Sequence, residues 1–222
     1  MFGDHPSLPV QTNPWSTIAL SDYEGHMGTP AVGQSAMLAE EFAAAVQREN
    51  LRSVALVGCA GGNGLDSLRG RAVDRVVCVD INPDYVAALQ RRFAADLPGL
   101  ECQVTELERW QPAAPVDLVF GGLIFEYTRL DEALAAVSAA LVPGGRLVAL
   151  LQVPASTQQT VTPSAYAQAM SVVIGFFQYI APDDFERAAA RHGLRALDRR
   201  QRTLPSGKGF AILGLEKPRA VS

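Results

Sequence analysis

Three cysteines and three histidines in 222 residues leave little material for a disulfide scaffold or a metal centre. Cys59, Cys78 and Cys102 have no C-x-x-C spacing and the histidines do not cluster, so reduced intracellular thiols and no bound metal are expected. No apolar run reaches the roughly eighteen residues that a membrane span needs. The opening Met1-Phe2-Gly3-Asp4-His5-Pro6 lacks a basic stretch leading into an apolar core, so no secretory leader is expected, and the cytoplasm is the expected location. An excess of positive charge is also missing. The 19 basic and 23 acidic side chains give a formal charge of −4, whereas a nucleic-acid partner demands a basic footprint. Arg187, Arg191, His192, Arg195, Arg199, Arg200 and Arg202 run against this balance, but spread over a helix and a strand they read as a solvated rim rather than an RNA platform.

What is present is an ordinary globular composition, 48% hydrophobic and 19% charged, in a chain long enough to bury one substantial α/β core. Its most informative stretch is 53–80. Val54 to Val57 form a short apolar run, Gly58, Gly61, Gly62 and Gly64 supply a turn that can bend sharply and approach a ligand, and Val76 to Val79 repeat the apolar run. Asp80 ends it, placed to accept hydrogen bonds from both hydroxyls of a ribose. Such a turn serves two classes of nucleotide cofactor. Dinucleotide sites use G-x-G-x-x-G; here the order is G-x-x-G-G-x-G, which misses that spacing.

The turn resembles the first motif of the class I S-adenosylmethionine-dependent methyltransferases, a strand followed by G-x-G-x-G, and the resemblance continues over about 38–217. Asp80-Ile81-Asn82-Pro83 resembles the ribose-binding second motif leading into a helix that starts at Pro83. Glu106 stands where the family carries an acid near the adenine amino group, Val116 to Phe120 with Gly121-Gly122 resembles the fourth strand and its loop, and Leu141-Val142-Pro143-Gly144-Gly145 matches the L-x-P-G-G turn before strand five. Stretches 194–203 and 209–216 fit a terminal hairpin, and Leu204-Pro205-Ser206-Gly207-Lys208-Gly209 forms its turn-rich connection. The resemblance implies a doubly wound Rossmann-like α/β fold with a seven-stranded sheet in the order 3-2-1-4-5-7-6, strand 7 antiparallel. Helices are expected at 31–49, 64–69, 83–95, 130–141 and 182–191, the last ended by Gly193.

Two segments stand outside the minimal fold. Residues 1–29, with Pro6, Pro9 and Pro14, are expected to be an irregular arm ahead of the domain at 30–222. Within and just beyond the arm, Asp22-Tyr23-Glu24-Gly25-His26-Met27 and Val32-Gly33-Gln34 resemble segments of a type 11-like bacterial group of methyltransferases. That implies a lid in which Tyr23, His26 and Gln34 meet the cofactor; a plain surface loop is the alternative. The second segment is an insert at 154–181, with a helix starting at Thr162-Pro163 and an apolar set of Tyr166, Met170, Val173, Ile174, Phe176, Phe177 and Tyr179. It reads as a pocket wall, as plain core, or as a contact between two copies, so monomer and homodimer both stay open.

The resemblance implies S-adenosylmethionine as cofactor, held by Gly58, Cys59, Ala60, Gly62, Asn63, Asp66, Asp80, Ile81, Glu106, Leu107 and Gly122 together with the three arm residues. Two positions depart from the pattern. Leu56 replaces an acid that holds the donor's amino group, and Ala60 replaces the middle glycine; Asp66 either supplies the missing carboxylate or complements the start of a helix. The implied reaction is in-line methyl transfer to a small-molecule acceptor, for which the protein aligns the acceptor and excludes water. If the acceptor must lose a proton, Glu126 and Tyr127, with His26 behind them, are the candidate bases; Glu126 serves equally well as a brace for the next helix. The loop after strand four is not the N/D-P-P-Y/F motif of nucleic-acid amino methylation. Two alternatives remain: a nicotinamide-dependent oxidoreductase, and a catalytically silent module that binds S-adenosylmethionine.

Overall fold

The computed structural model describes residues 13–48, 50–154 and 161–219. Parts of the arm (1–12) and of the insert (155–160) lie outside them. Seven strands form one sheet: β1 (Ser53–Val57), β2 (Arg75–Asp80), β3 (Leu100–Val104), β4 (Val116–Gly122), β5 (Leu141–Val153), β6 (Arg195–Thr203) and β7 (Gly209–Glu216). Their order is β3-β2-β1-β4-β5-β7-β6, as expected. The first five are parallel, and β7 runs antiparallel to both β5 and β6.

Alternation along β1 divides the core into two layers, because successive side chains of a strand point to opposite faces. Val54 and Leu56 join Met37 and Phe42 of helix α2 (Gln34–Ala45) and Leu89 and Phe93 of helix α3 (Pro83–Phe93). Ala55 and Val57 join Leu134 and Val137 of helix α4 (Leu130–Ala140) and Phe185 of helix α6 (Pro182–Arg191). With helices on both faces, the central strands need unbroken apolar runs, which is why β1 and β2 read as such. Helix α6 ends in a Schellman turn: Gly193, at φ +76°, donates to Ala190 O and Leu194 donates to Ala189 O.

The structure corrects several boundaries. The described part of the arm, residues 13–29, is not irregular: Pro14–Ser16 form a 3-10 turn, and helix α1 covers Leu20–Gly28. Pro14 occupies a first helical position, where its missing N–H costs nothing, and no proline follows until Pro30, so nine residues are free to coil. The stretch 64–69 holds only a 3-10 turn, Leu65–Leu68, bracketed by Gly64 at φ +92° and Gly70 at φ +72°. Its buried Leu65 and Leu68 lie three apart, the repeat of a 3-10 turn. Gly33, at φ +65°, delays α2 until Gln34. The insert's helix does not begin at Thr162-Pro163, because Ser164 Oγ accepts the Tyr166 N–H at 3.1 Å in a local turn. Helix α5 is therefore one turn, Ala167–Met170, running into a 3-10 segment, Ser171–Phe176. The L-V-P-G-G turn lies inside β5, where the register against β4 shifts between Val116 and Leu118.

The C-terminal ends of the parallel strands all open on one edge. Because β7 is antiparallel and Gly209 pairs with Val153, the β6–β7 turn reaches that same edge.

Candidate active site

A crevice with an empty volume of about 1190 Å³, counted out to solvent, follows this edge, the usual ligand position in open α/β sheets. Read along the sheet, its lining comes from Glu106 after β3, Asp80 at the end of β2, Gly58 after β1, Gly122 and Glu126 after β4, Gln152 on β5 and Lys208 before β7. Tyr23, His26 and Gln34 cover it from α1 and α2, and Met170, Val173 and Phe177 from the insert.

At the β2 end, Asp80 is held by the backbone. Its Oδ2 accepts the Ala60 N–H at 2.8 Å and its Oδ1 the Asn82 N–H at 2.9 Å. Burial raises this carboxyl above its ordinary range, against the lowering effect of the N–H groups of Asn82, Ala60 and Ile81. A carboxylate so placed gains from further donors, which ribose hydroxyls supply. Ala60 sits at φ +43°, a left-handed backbone that is strained for a residue with a Cβ, and its bond to Asp80 helps to hold it there. Glu106 pairs with Arg109 at 3.2 Å and lines the crevice beside Leu107.

An aromatic chain continues the wall. Tyr85 meets Tyr23 with ring centroids 5.8 Å apart, Tyr23 meets Trp15 at 5.9 Å, Trp15 meets Tyr127 at 5.0 Å and Tyr127 meets Phe177 at 5.5 Å, the last three edge to face. Among the described residues, Trp15 Nε1, the Tyr85 hydroxyl and Glu126 Oε2 are buried without a hydrogen-bond partner. Orphaned polar atoms around a crevice fit a polar ligand. Two ties hold α1 and its approach in place. Asn82 Nδ2 donates to Trp15 O at 2.9 Å and to Ile18 O at 3.2 Å; Arg92 pairs with Glu24 and donates to Gly61 O at 3.1 Å.

At the β5–β7 end, the polar side chains that line the crevice are buried. Glu126 is 0% exposed; its Oε1 accepts the Gln152 N–H at 2.7 Å, and burial pushes its carboxyl up to about 7. Lys208 is 3% exposed, donates to Gln152 Oε1 over 3.4 Å, and is pressed down to about 8 by burial. His26 is 4% exposed, with Nδ1 2.8 Å from Ser164 Oγ; burial, then the charge of Lys208, lower its pKa. Burial, followed by the charge of Glu126, raises the Tyr127 phenol, so this group stays protonated at neutral pH and serves as a wall and a donor rather than a base.

A family model described as a methyltransferase domain matches residues 54–145, from β1 into the turn of β5. The match covers the glycine turn, Asp80 and Glu106 in the order the crevice uses them. Residues 54–145 thus resemble a methyltransferase domain, and the seven-stranded sheet around them has the methyltransferase fold. Trans-aconitate 2-methyltransferase from Azoarcus sp. (strain BH72) is 32% identical over 122 residues, 52% of this chain and 44% of that protein. The Rhizobium etli (strain ATCC 51251) protein of the same name is 27% identical over 114 residues, 51% of this chain and 40% of its own length. Each match thus spans less than half of the relative. The crystal structure of magnesium protoporphyrin IX methyltransferase from Synechocystis PCC 6803 with bound SAH is similar in fold, with a TM-score of 0.70 at 14% identity, over 91% of this chain and 95% of that one.

Among the residues that the methyltransferase resemblance nominates, the structure brings Gly58, Ala60, Asp80, Ile81, Glu106, Leu107, Gly122, Glu126, Tyr127, Tyr23, His26 and Gln34 to one crevice. It does not bring four others. Cys59 is buried in the core with Cys78. Asn63 is exposed and donates to Ser35 O at 2.8 Å, and Asp66 is exposed and paired with Arg69 at 3.0 Å, so Asp66 complements its own short turn. Gly62 faces α3: a Cβ there would lie 2.6 Å from the Phe93 ring, and its φ is +90°. These last three border a hollow beneath α1 that adjoins the crevice, with Tyr23, Met27 and Ala60 lining both. Sequence reasoning missed Trp15, Tyr85, Gln152 and Lys208. Lys208 stood in a turn that looked like a mere connection, and only the direction of β7 carries it to the crevice.

Proposed function

We propose that the chain binds S-adenosylmethionine across the ends of β3, β2 and β1 and transfers its methyl group to a small molecule lodged against β4, β5 and β7. The observation that carries this reading is the Asp80 carboxylate, fixed by the amides of Ala60 and Asn82 at the crevice edge. Asp80 takes the ribose hydroxyls, Glu106 lies toward the adenine, and the aromatic chain favours a cationic sulfonium at its ring faces. When bound, the cofactor supplies an already activated methyl group. The chain's own residues then align and enclose: α1 and the insert act as lid and wall, holding the acceptor in line and keeping water out. Glu126, buried beside the acceptor end and titrating near neutrality, is the group suited to take a proton from a hydroxyl acceptor, with His26 second.

Titration calorimetry tests the donor site. S-adenosylmethionine and its demethylated product should bind and nicotinamide dinucleotides should not; the antiparallel β7 already sits poorly with a dehydrogenase. Asp80→Ala should weaken cofactor binding by about 1.5–3 kcal/mol, the range for hydrogen bonds to a charged group. Unchanged affinity in a folded variant would remove Asp80 from the site. Release of demethylated cofactor in a metabolite screen separates an enzyme from a silent binding module. Among the described residues no helix is long and apolar enough to cross a membrane.

A further inference from the structure

Glu126 does more than its structural contacts require. Its Oε1 alone accepts the Gln152 N–H, and its backbone carbonyl accepts the Gln178 N–H at 2.9 Å, which seats the insert against the 3-10 turn Phe125–Tyr127. A glutamine would make both contacts without taking an ionisable group out of water. Yet the carboxyl is 0% exposed, and among the described residues its Oε2 has no hydrogen-bond partner. The wall beside it is apolar and aromatic. Trp15, Tyr127 and Val161 pack against Met170 and Val173, and Phe177 meets the Tyr127 ring. A second polar atom, within this wall, also lacks a partner: Trp15 Nε1, on a ring whose centroid lies 5.0 Å from that of Tyr127.

Resting on the methyl-transfer reading above, we propose that the acceptor is a phenol, an aromatic ring whose hydroxyl meets Glu126 Oε2 against the wall of Trp15, Tyr127 and Phe177. The two orphaned atoms are of opposite sense: a carboxylate oxygen accepts, and an indole N–H only donates. A hydroxyl answers both, with its proton for the one and a lone pair for the other. An ammonium has nothing for the indole, and a carboxylate has no proton for Glu126 and meets a second acid. The wall then separates aromatic from aliphatic alcohols. Edge-to-face contacts, of the kind that already join Trp15 to Tyr127 at 83° and Tyr127 to Phe177 at 67°, favour an aromatic ring over a saturated one. Acidity makes the same choice. Glu126 titrates at about 7 and a phenol at about 10, so the proton moves against roughly three orders of magnitude; an aliphatic hydroxyl, near water's value of about 15.7, faces roughly nine. In the transfer, a phenolic oxygen pair forms the bond to the methyl carbon as the methyl–sulfur bond breaks. That bonding pair stays on sulfur, and the phenolic proton passes to Glu126 Oε2.

The test uses the full chain saturated with the demethylated cofactor and titrated with phenol, catechol and 2-naphthol, then with their saturated counterparts cyclohexanol, cyclohexane-1,2-diol and decahydro-2-naphthol. Trans-aconitate and benzylamine represent acid and amine acceptors. At least one phenol should bind, fivefold or more tighter than its saturated counterpart and tighter than the acid and the amine. Given S-adenosylmethionine, that phenol should become its methyl ether, with one demethylated cofactor released per ether. Glu126→Gln, which keeps the contact to Gln152, should lower this turnover a hundredfold or more while the phenol binds within threefold of wild type. No binding of any of the three phenols, equal binding of the aromatic and saturated rings, or tighter binding of the acid or the amine would each overturn the assignment. So would a bound phenol that is not methylated, or an unaffected Glu126→Gln variant. The comparison of ligands on wild type needs no variant to fold. Failure of the demethylated cofactor to bind wild type would instead defeat the underlying methyl-transfer reading, so the two failures are distinguishable.

Discussion

At the scale of single residues, the Glu126 carboxyl links the site to stability. Buried at 0% exposure and lifted from 4.5 to about 7, it stays protonated in the folded chain over a range where the unfolded chain has already ionised. The folded state then binds more protons, so stability falls as pH rises between about 4.5 and about 7, and is flat on either side for this group. The shift corresponds to a loss on the order of 3 kcal/mol across that window. Glu126→Gln keeps an acceptor for the Gln152 N–H and removes the titration. Its stability relative to wild type should therefore rise from pH 5 to pH 8 in urea melts, and a constant difference would show that Glu126 ionises freely in the fold.

Among elements, α1 is the one that tertiary contacts hold in place. Asn82 serves two masters: its Oδ1 caps α3 by accepting from Asp84 N at 3.0 Å and Tyr85 N at 3.4 Å, and its Nδ2 ties down the carbonyls of Trp15 and Ile18. Asn82→Asp separates the two jobs, since a carboxylate still caps a helix start but faces those carbonyls without a donor. Amide exchange in 15–20 should accelerate tenfold or more while β1 and β4 keep their protection, and cofactor affinity should fall with it. Unchanged exchange would mean that the aromatic contacts alone hold the arm. The other edge of the molecule is closed differently. Arg200 and Arg202 of β6 reach Glu41 of α2, whose carboxyl burial would raise but whose two arginine partners keep below its usual range. Arg199 pairs with Asp183 and Glu186 of α6, and Arg195 with Glu216 of β7. Arginines committed to neighbouring carboxylates guard an exposed edge strand against pairing with another chain.

For the whole molecule, a crevice that draws on α1, the insert and six strands couples ligand binding to global unfolding. Demethylated cofactor at a hundred times its dissociation constant should stabilise the fold by about 2.7 kcal/mol through mass action. In a chain of this size that is roughly 5–10 °C in melting temperature. A matched concentration of reduced nicotinamide dinucleotide should leave the melt in place. Equal shifts with both would point to non-specific stabilisation and against the donor site.

The sequence by itself determined the features whose cause is local. The apolar runs of β1 and β2, the turn chemistry around Gly58, the Asn82-Pro83 start of α3 and the Gly193 stop of α6 all follow from short-range sterics and periodicity, and with the family resemblance they implied the sheet order. Local signals misled where neighbours in space overruled them: proline-marked residues 13–29 carry a helix. The acceptor end was decided only by the tertiary structure. Gln152 meets Glu126 across 26 positions, Lys208 meets Gln152 across 56, and His26 meets Ser164 across 138. No periodicity extends over such separations. What joins these residues is the antiparallel return of β7, which carries a hairpin turn back to the edge where the parallel strands end and buries its lysine there.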